Sequence, residues 1–213
     1  MAIVINGSGT VTGISVGGLP DAIVDDGTLA TDSVTAAKLK DDAIAVGDLP
    51  AGSVLQVVST TKTDTFSFNT TGGWVTLTGM NTTLPAIQTG SKILISGVIH
   101  FGSSSDSNAT GRIRDSIDDL VQLPSGSGQL EGHFGSGYIY NGGGTNHAQY
   151  GLFPAPFNYM YTPTTTASRT ISLEVRNGDT NDITCYVNRS VNNDSSAWLS
   201  LGMSTITVME IAG

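Results

Sequence analysis

Between residues 19 and 56 the chain repeats itself every ten residues. Val24, Val34, Ile44 and Val54 form one column, and Leu19, Leu29, Leu39 and Leu49 form a second, five residues out of phase. Small residues hold columns of their own: Ser33, Ala43 and Ser53 in one, Gly27, Ala37 and Gly47 in another. An apolar anchor every five residues suits neither regular element. On an α-helix such anchors drift around the axis and leave no stripe. On a strand the odd spacing sends successive anchors to opposite faces. A short strand-and-turn or loop-and-helical-turn unit, rebuilt every ten residues, fits better.

Energetics then favour several chains over one. Each buried Val or Leu contributes roughly 1.5–3 kcal/mol, whereas ordering five backbone units costs roughly 5–10 kcal/mol. One chain cannot close that gap with one anchor per five residues. Chains wound on a common axis can, because their anchors share one core and their backbones pair with one another. The columns of Gly, Ala and Ser permit close approach there. Leu19, Val24, Leu29, Val34, Leu39, Ile44, Leu49 and Val54 are therefore the expected core of an intertwined stalk.

Charge divides the chain the same way. Residues 1–18 carry no charged side chain, residues 19–56 carry seven Asp against two Lys, and residues 57–213 carry eleven acids against seven bases. The first segment, MAIVINGSGTVTGISVGG, alternates apolar with small or polar residues around Gly. It reads as one or two short strands with turns, an uncharged end suited to docking into another protein. The acidic balance, with no basic stripe, is a poor match to nucleic acid. No run of apolar residues is long enough for a membrane-spanning helix, and Met1 opens no signal peptide. A single cysteine, Cys185, provides no disulfide framework and no thiolate cluster for zinc.

Residues 57–213 read as an all-β head. Strands are expected over Leu55–Thr60, Asp64–Asn69, Trp74–Thr78, Lys92–Phe101, Gly111–Ile117, Leu120–Leu123, Arg169–Arg176, Ile183–Arg189 and Thr205–Ile211, with Gly and Asn turn signals between many of them. Many short strands in one domain predict a β-sandwich, specifically a jelly roll. Ile93-Leu94-Ile95 and Ile206-Thr207-Val208-Met209 are apolar on both faces in places, which fits strands covered by the core on one side and by a neighbouring subunit on the other.

The decad stretch SVTAAKLKDDAI…GDLPAGSVLQVVST, followed by a β-domain that ends in CYVNRS…STITVMEIAG, resembles tail-fibre-like virion proteins of bacteriophages, especially those of marine and cyanobacterial phages. The resemblance implies a homotrimeric fibre. Residues 1–18 would dock to another virion protein, 19–56 would form the stalk, and the remainder a head similar to C1q or tumour-necrosis-factor jelly rolls. It implies a place in the virion and brings no catalytic residues with it.

Enzyme signatures are sparse. His100, His133 and His147 lie far apart, without HxH or HExxH spacing, no phosphate-binding GxxxxGK[ST] is present, and the GxSxG string Gly13–Gly17 falls in the short-strand N-terminal segment and not on a strand-to-helix turn. Asp115, Asp118 and Asp119 are the one cluster that suggests paired-carboxylate glycosidase chemistry or a calcium site. An exposed turn accounts for them more simply. No catalytic group, metal or cofactor is expected. Trp74 and Trp198 are expected in the core or an interface, and Cys185 as a small buried hydrophobe.

The Gly-rich stretch from Ser125 to Tyr161 offers a recognition surface for a host cell-surface glycan or protein. The candidate contacts are Tyr138, Tyr140, His147, Tyr150, Phe153, Tyr159 and Tyr161. The competing expectation is that Tyr138-Ile139-Tyr140 and Tyr159-Met160-Tyr161 are strand residues packed into the core or the subunit contact. Host attachment by the head leads the functional expectations. A capsid or collar decoration role and polysaccharide depolymerisation are the alternatives.

Overall fold

The computed structural model of the chain describes residues 4–5, 11–12, 31, 34–35, 39, 44–70, 73–120, 132–139, 150–178, 183–191 and 201–213. The chain divides into two compact units, Met1–Asp48 and Leu49–Gly213. In the first, β1 (Val4–Ile5) pairs antiparallel with β2 (Val11–Thr12), as the Gly-punctuated alternation predicts. Farther along, Val46–Asp48 forms one 3-10 turn, closed by the Ala45 N–H donating to Asp48 Oδ2 at 2.8 Å. The repeat residues Val34, Leu39 and Ile44 are 52%, 45% and 58% exposed. Leu19, Val24 and Leu29 lie outside the described residues.

The second unit contains β3 (Val54–Lys62), β4 (Phe66–Phe68), β5 (Val75–Leu84), β6 (Lys92–Ser103), β7 (Ser107–Asp115) and β8 (Asp119–Leu120). These are followed by β9 (Phe134–Ile139), β10 (Phe153–Tyr161), β11 (Arg169–Asn177), β12 (Cys185–Val187) and β13 (Ser204–Ile211). In one sheet β6 is flanked by β10 on one edge and by β13 and β12, end to end, on the other; β3 and β4 lie outside β13 and β12. In the second sheet β11 joins β5 to β7, whose far edge is shared by β8 and β9.

Three pairs of strands, β3 with β4, β8 with β9 and β12 with β13, each occupy one broken position. The chain then winds through eight positions. The first sheet takes positions one, eight, three and six, and the second takes two, seven, four and five. This is the winding of a jelly roll, as the sequence predicts.

Between the sheets lies a core that includes Leu77, Met80, Leu84, Ile93, Ile95, Ile99, Ile113, Ile171, Leu173, Ile206 and Val208. A run of rings threads it: Phe68 on β4 meets Phe101 on β6 at 6.3 Å, Phe101 meets Phe134 on β9 at 6.4 Å, and Phe134 stacks on Phe157 of β10 at 4.7 Å. Gly111 makes room for this run, since a Cβ there would lie 2.0 Å from the Phe134 ring. In β5, Gly79 has a φ of 81°, the left-handed conformation at which the register against β11 slips.

Two expectations need revising. The boundary between stalk and head is drawn at 56/57 by charge and repeat, yet the second unit begins at Leu49 and β3 already starts at Val54. Three hydrogen bonds tie this stretch to the chain's end. Gly52 N–H donates to the Ala212 carbonyl at 2.8 Å, Ala212 N–H to the Ser53 carbonyl at 2.8 Å, and the Gln56 amide to Glu210 Oε2 at 2.7 Å. Leu49 and Val54 thus belong to the head's compact unit. The stretch from Ser125 to Tyr161, for which the expected strands above give no bounds, contains β9 and β10. Cys185 is buried on β12, as expected.

Candidate functional site: two outer faces of the head

The two sheets turn different chemistry outward. On the first, register places side chains in rows across four strands: Met160–Leu94–Met209–Val57, then Asn158–Ser96–Thr207–Ser59, then Pro156–Val98–Thr205–Thr61. Ahead of them, Ile211 sits between Lys92 and Val54. Val54, Val57 and Met160 are about half exposed at 51%, 53% and 49%. Lys92 is the only charged side chain in these rows, although the chain carries net charge −9. This is the sequence expectation for Leu94 and Met209 made concrete, with apolar side chains on the side of β6 and β13 that faces away from the core.

The outer face of the second sheet is polar. Its rows are Thr76–Glu174–Arg112, Asn81–Ser172–Arg114 and Thr83–Thr170. Glu174 accepts from Arg112 Nε at 2.6 Å and lies 3.9 Å from Arg114 Nε, while Arg114 also pairs with Asp119. Trp74, half-buried just before β5, is flanked by guanidiniums, with Arg112 4.4 Å and Arg176 5.3 Å from its ring centre. Trp74 is therefore an outer-face residue and not part of the core; Trp198 lies outside the described residues. Sequence reading missed this constellation. The signal was present in the alternation of Arg112 with Arg114 and of Glu174 with Arg176, each pair two apart on a strand and so on one face.

The aromatic recognition candidates do not form one surface. Tyr159 and Tyr161 sit on β10 and pack against the core, Tyr159 with its ring 5.1 Å from His133. That is the competing expectation for this pair. Phe153 opens β10 opposite Phe101 and is half-buried. Tyr150 is 40% exposed. Tyr138 lies on β9 opposite Asn108, and Tyr140 and His147 lie outside the described residues.

The carboxylates flagged for hydrolysis or calcium serve an ion-pair network. Arg169, at the start of β11, donates from Nη1 to Asp115 Oδ2 at 2.7 Å and to Asp118 Oδ2 at 2.8 Å, and from Nη2 to the Thr165 carbonyl. The side chains of Arg169 and Asp115 expose no surface. Tyr161 Oη also donates to Asp115 Oδ2, at 2.5 Å, and Ile117 N–H to Asp115 Oδ1 at 2.8 Å. Thr164 donates its N–H to Asp118 Oδ2 at 3.2 Å and its hydroxyl to Oδ1.

Burial pushes the Asp118 carboxyl up, but hydrogen bonds from Thr164 and Arg169 outweigh it and hold the group below its ordinary value of 3.8. Burial, followed by the bond to Asp115, pushes the Tyr161 phenol well above its ordinary value of 10.0. Asp119 departs from the cluster, adopting a left-handed φ of 64° and pairing with Arg114. Among the described residues no three His, Cys, Asp or Glu gather as metal ligands, and no helix is long and apolar enough to cross a membrane.

No protein-family model matches the chain, and no curated protein matches it. Among solved structures it is similar to a chain in "Structure of infectious bursal disease virus Gx strain", at 18% identity and a TM-score of 0.37, covering 74% of this chain and 40% of that one. It is also similar to the infectious bursal disease virus VP2 subviral particle, at 19% identity and a TM-score of 0.33, covering 74% of this chain and 38% of that one. The chain thus spans about two fifths of either, and at these TM-scores neither likeness bears on its role; the jelly-roll assignment rests on the chain's own strand order.

Proposed function

We propose that the chain is a non-enzymatic structural protein of a virion: a homotrimeric fibre that docks through residues 1–18, winds residues upstream of Leu49 into a stalk, and presents three jelly-roll heads for host attachment. One observation carries the trimer. The described repeat anchors stay exposed on a single chain, Val34 and Ile44 by more than half, and the last of their column, Val54, opens the sheet whose outward rows are a mixture of apolar and uncharged polar side chains with Lys92 and no acid. An acidic chain can approach copies of itself most cheaply across such a face. Three heads on one stalk then multiply weak contacts through effective concentration. The engagement of Asp115 and Asp118 by Arg169 supports the non-enzymatic part.

Electron microscopy of virions with the protein labelled tests the reading. Three-fold fibres ending in heads at the tail are the expected result. The same fibres on capsid or collar, with adsorption unchanged when the head is deleted, would replace attachment by decoration. Absence from the particle would overturn the reading altogether.

A further inference from the structure

We propose that the outward face of β5, β11 and β7, centred on Trp74, Arg112 and Arg176, binds an acidic polysaccharide. This names the ligand class for the attachment half of the proposed function and rests on that reading for its biological use, but not on the trimer.

Supply and demand of charge carry the inference. Residues 57–213 hold seven bases against eleven acids, yet Arg112, Arg114 and Arg176 all project from this one face. Among the described residues two carboxylates meet them: Glu174, shared between Arg112 and Arg114, and the exposed Asp119. Arg176 is left over. Among the described residues its guanidinium forms no ion pair and no hydrogen bond; its Nε is buried without a partner, and it lies 5.3 Å from the centre of the Trp74 ring. A guanidinium beside an indole is desolvated on that side, and its remaining N–H groups are available to receive a carboxylate in bidentate fashion.

The surroundings suit a saccharide more than a bare ion. Thr76, Asn81 and Thr83 are exposed along β5, with Ser172 and Thr170 beside them on β11. This strip of hydroxyl and amide groups alongside the cations matches a chain of sugar hydroxyls that carries a carboxylate at intervals. All of these groups stand on paired strands, so their spacing is fixed before the ligand arrives.

Titration of the full-length chain with polygalacturonate, followed by calorimetry at low salt with neutral dextran as control, tests this. Polygalacturonate should bind and dextran should not, with affinity falling as salt rises. Arg176→Gln should weaken binding at least tenfold. Thr76→Glu, which sets a second carboxylate beside Glu174 on this face, should do the same, and Thr89→Glu in an exposed turn should not. Equal behaviour of the two polymers, or wild-type affinity in Thr76→Glu and Arg176→Gln, would overturn the site. Sedimentation of the same samples separates the two readings: a trimer that ignores polygalacturonate sinks the site alone, and a monomer that binds it sinks the trimer alone.

Discussion

β13 and β11 follow the same alternation and bury the same kind of side chain, yet they face the outside differently. β13 turns Thr205, Thr207, Met209 and Ile211 outward; β11 turns out Thr170, Ser172, Glu174 and Arg176. Inward, β13 buries Ile206 and Val208 between Ser204 and Glu210, and β11 buries Ile171, Leu173 and Val175 between Arg169 and Asn177. The core needs only the inward row. The outward row is free to vary, so its chemistry reports what each face meets: for β13 a surface that tolerates Met and Ile, for β11 water and charge. The proposed subunit contact and the proposed ligand site thus fall on faces of different chemistry within one fold.

The contrast can be broken most forcefully at the outward row that carries Leu94 and Met209. Leu94→Asp with Met209→Asp places two carboxylates per chain in the proposed contact, and trimers should be lost in a sedimentation run while the far-ultraviolet spectrum stays that of a β-protein. The paired change Leu29→Asp with Leu39→Asp tests the stalk in the same way. If its trimers persist, the head face alone holds the assembly.

A smaller effect, on the stability of each head and not on its assembly, is expected in the core. Asp115→Ala leaves the fully buried Arg169 short of its main counter-charge and should cost about 3–5 kcal/mol in denaturant unfolding. Smaller again is the pH dependence. The depressed Asp118 carboxyl stabilises the fold above its unfolded value of 3.8, and that stabilisation is lost as pH falls through the lower folded value. The raised Tyr161 phenol contributes stability that is complete below its unfolded value of 10.0 and is lost as pH rises beyond it. Unfolding followed across pH should therefore show a plateau with both shoulders. Asp118→Asn should flatten the acid shoulder and Tyr161→Phe the alkaline one. Smallest of all, Ser172→Asp on the polar face should leave assembly unchanged and shift stability by no more than about 0.5 kcal/mol.

Strict alternation made β11, β13 and the core of β6 legible in the sequence, and with them the sandwich. β10 was hidden because Pro154 and Pro156 read as strand breakers. They are tolerated because β10 is an edge strand paired only with β6, so each proline can turn its missing N–H away from the ladder. β9 was hidden by its glycines, since the fit of Phe134 over Gly111 is a contact between strands far apart in sequence. For the same reason Asp115 and Asp118 read as a turn or a site: their partner, Arg169, stands more than fifty residues away (|i−j| = 54 and 51). The polar face around Trp74 was half legible, because the alternating charges were visible but not the strand order that sets Glu174 between Thr76 and Arg112.

The claim on which the rest depends is chain number. Sedimentation equilibrium of the full-length chain at neutral pH measures it directly. Three chains of 22.0 kDa predict a single species near 66 kDa that persists on dilution. A species at 22.0 kDa across the same concentrations would contradict the account.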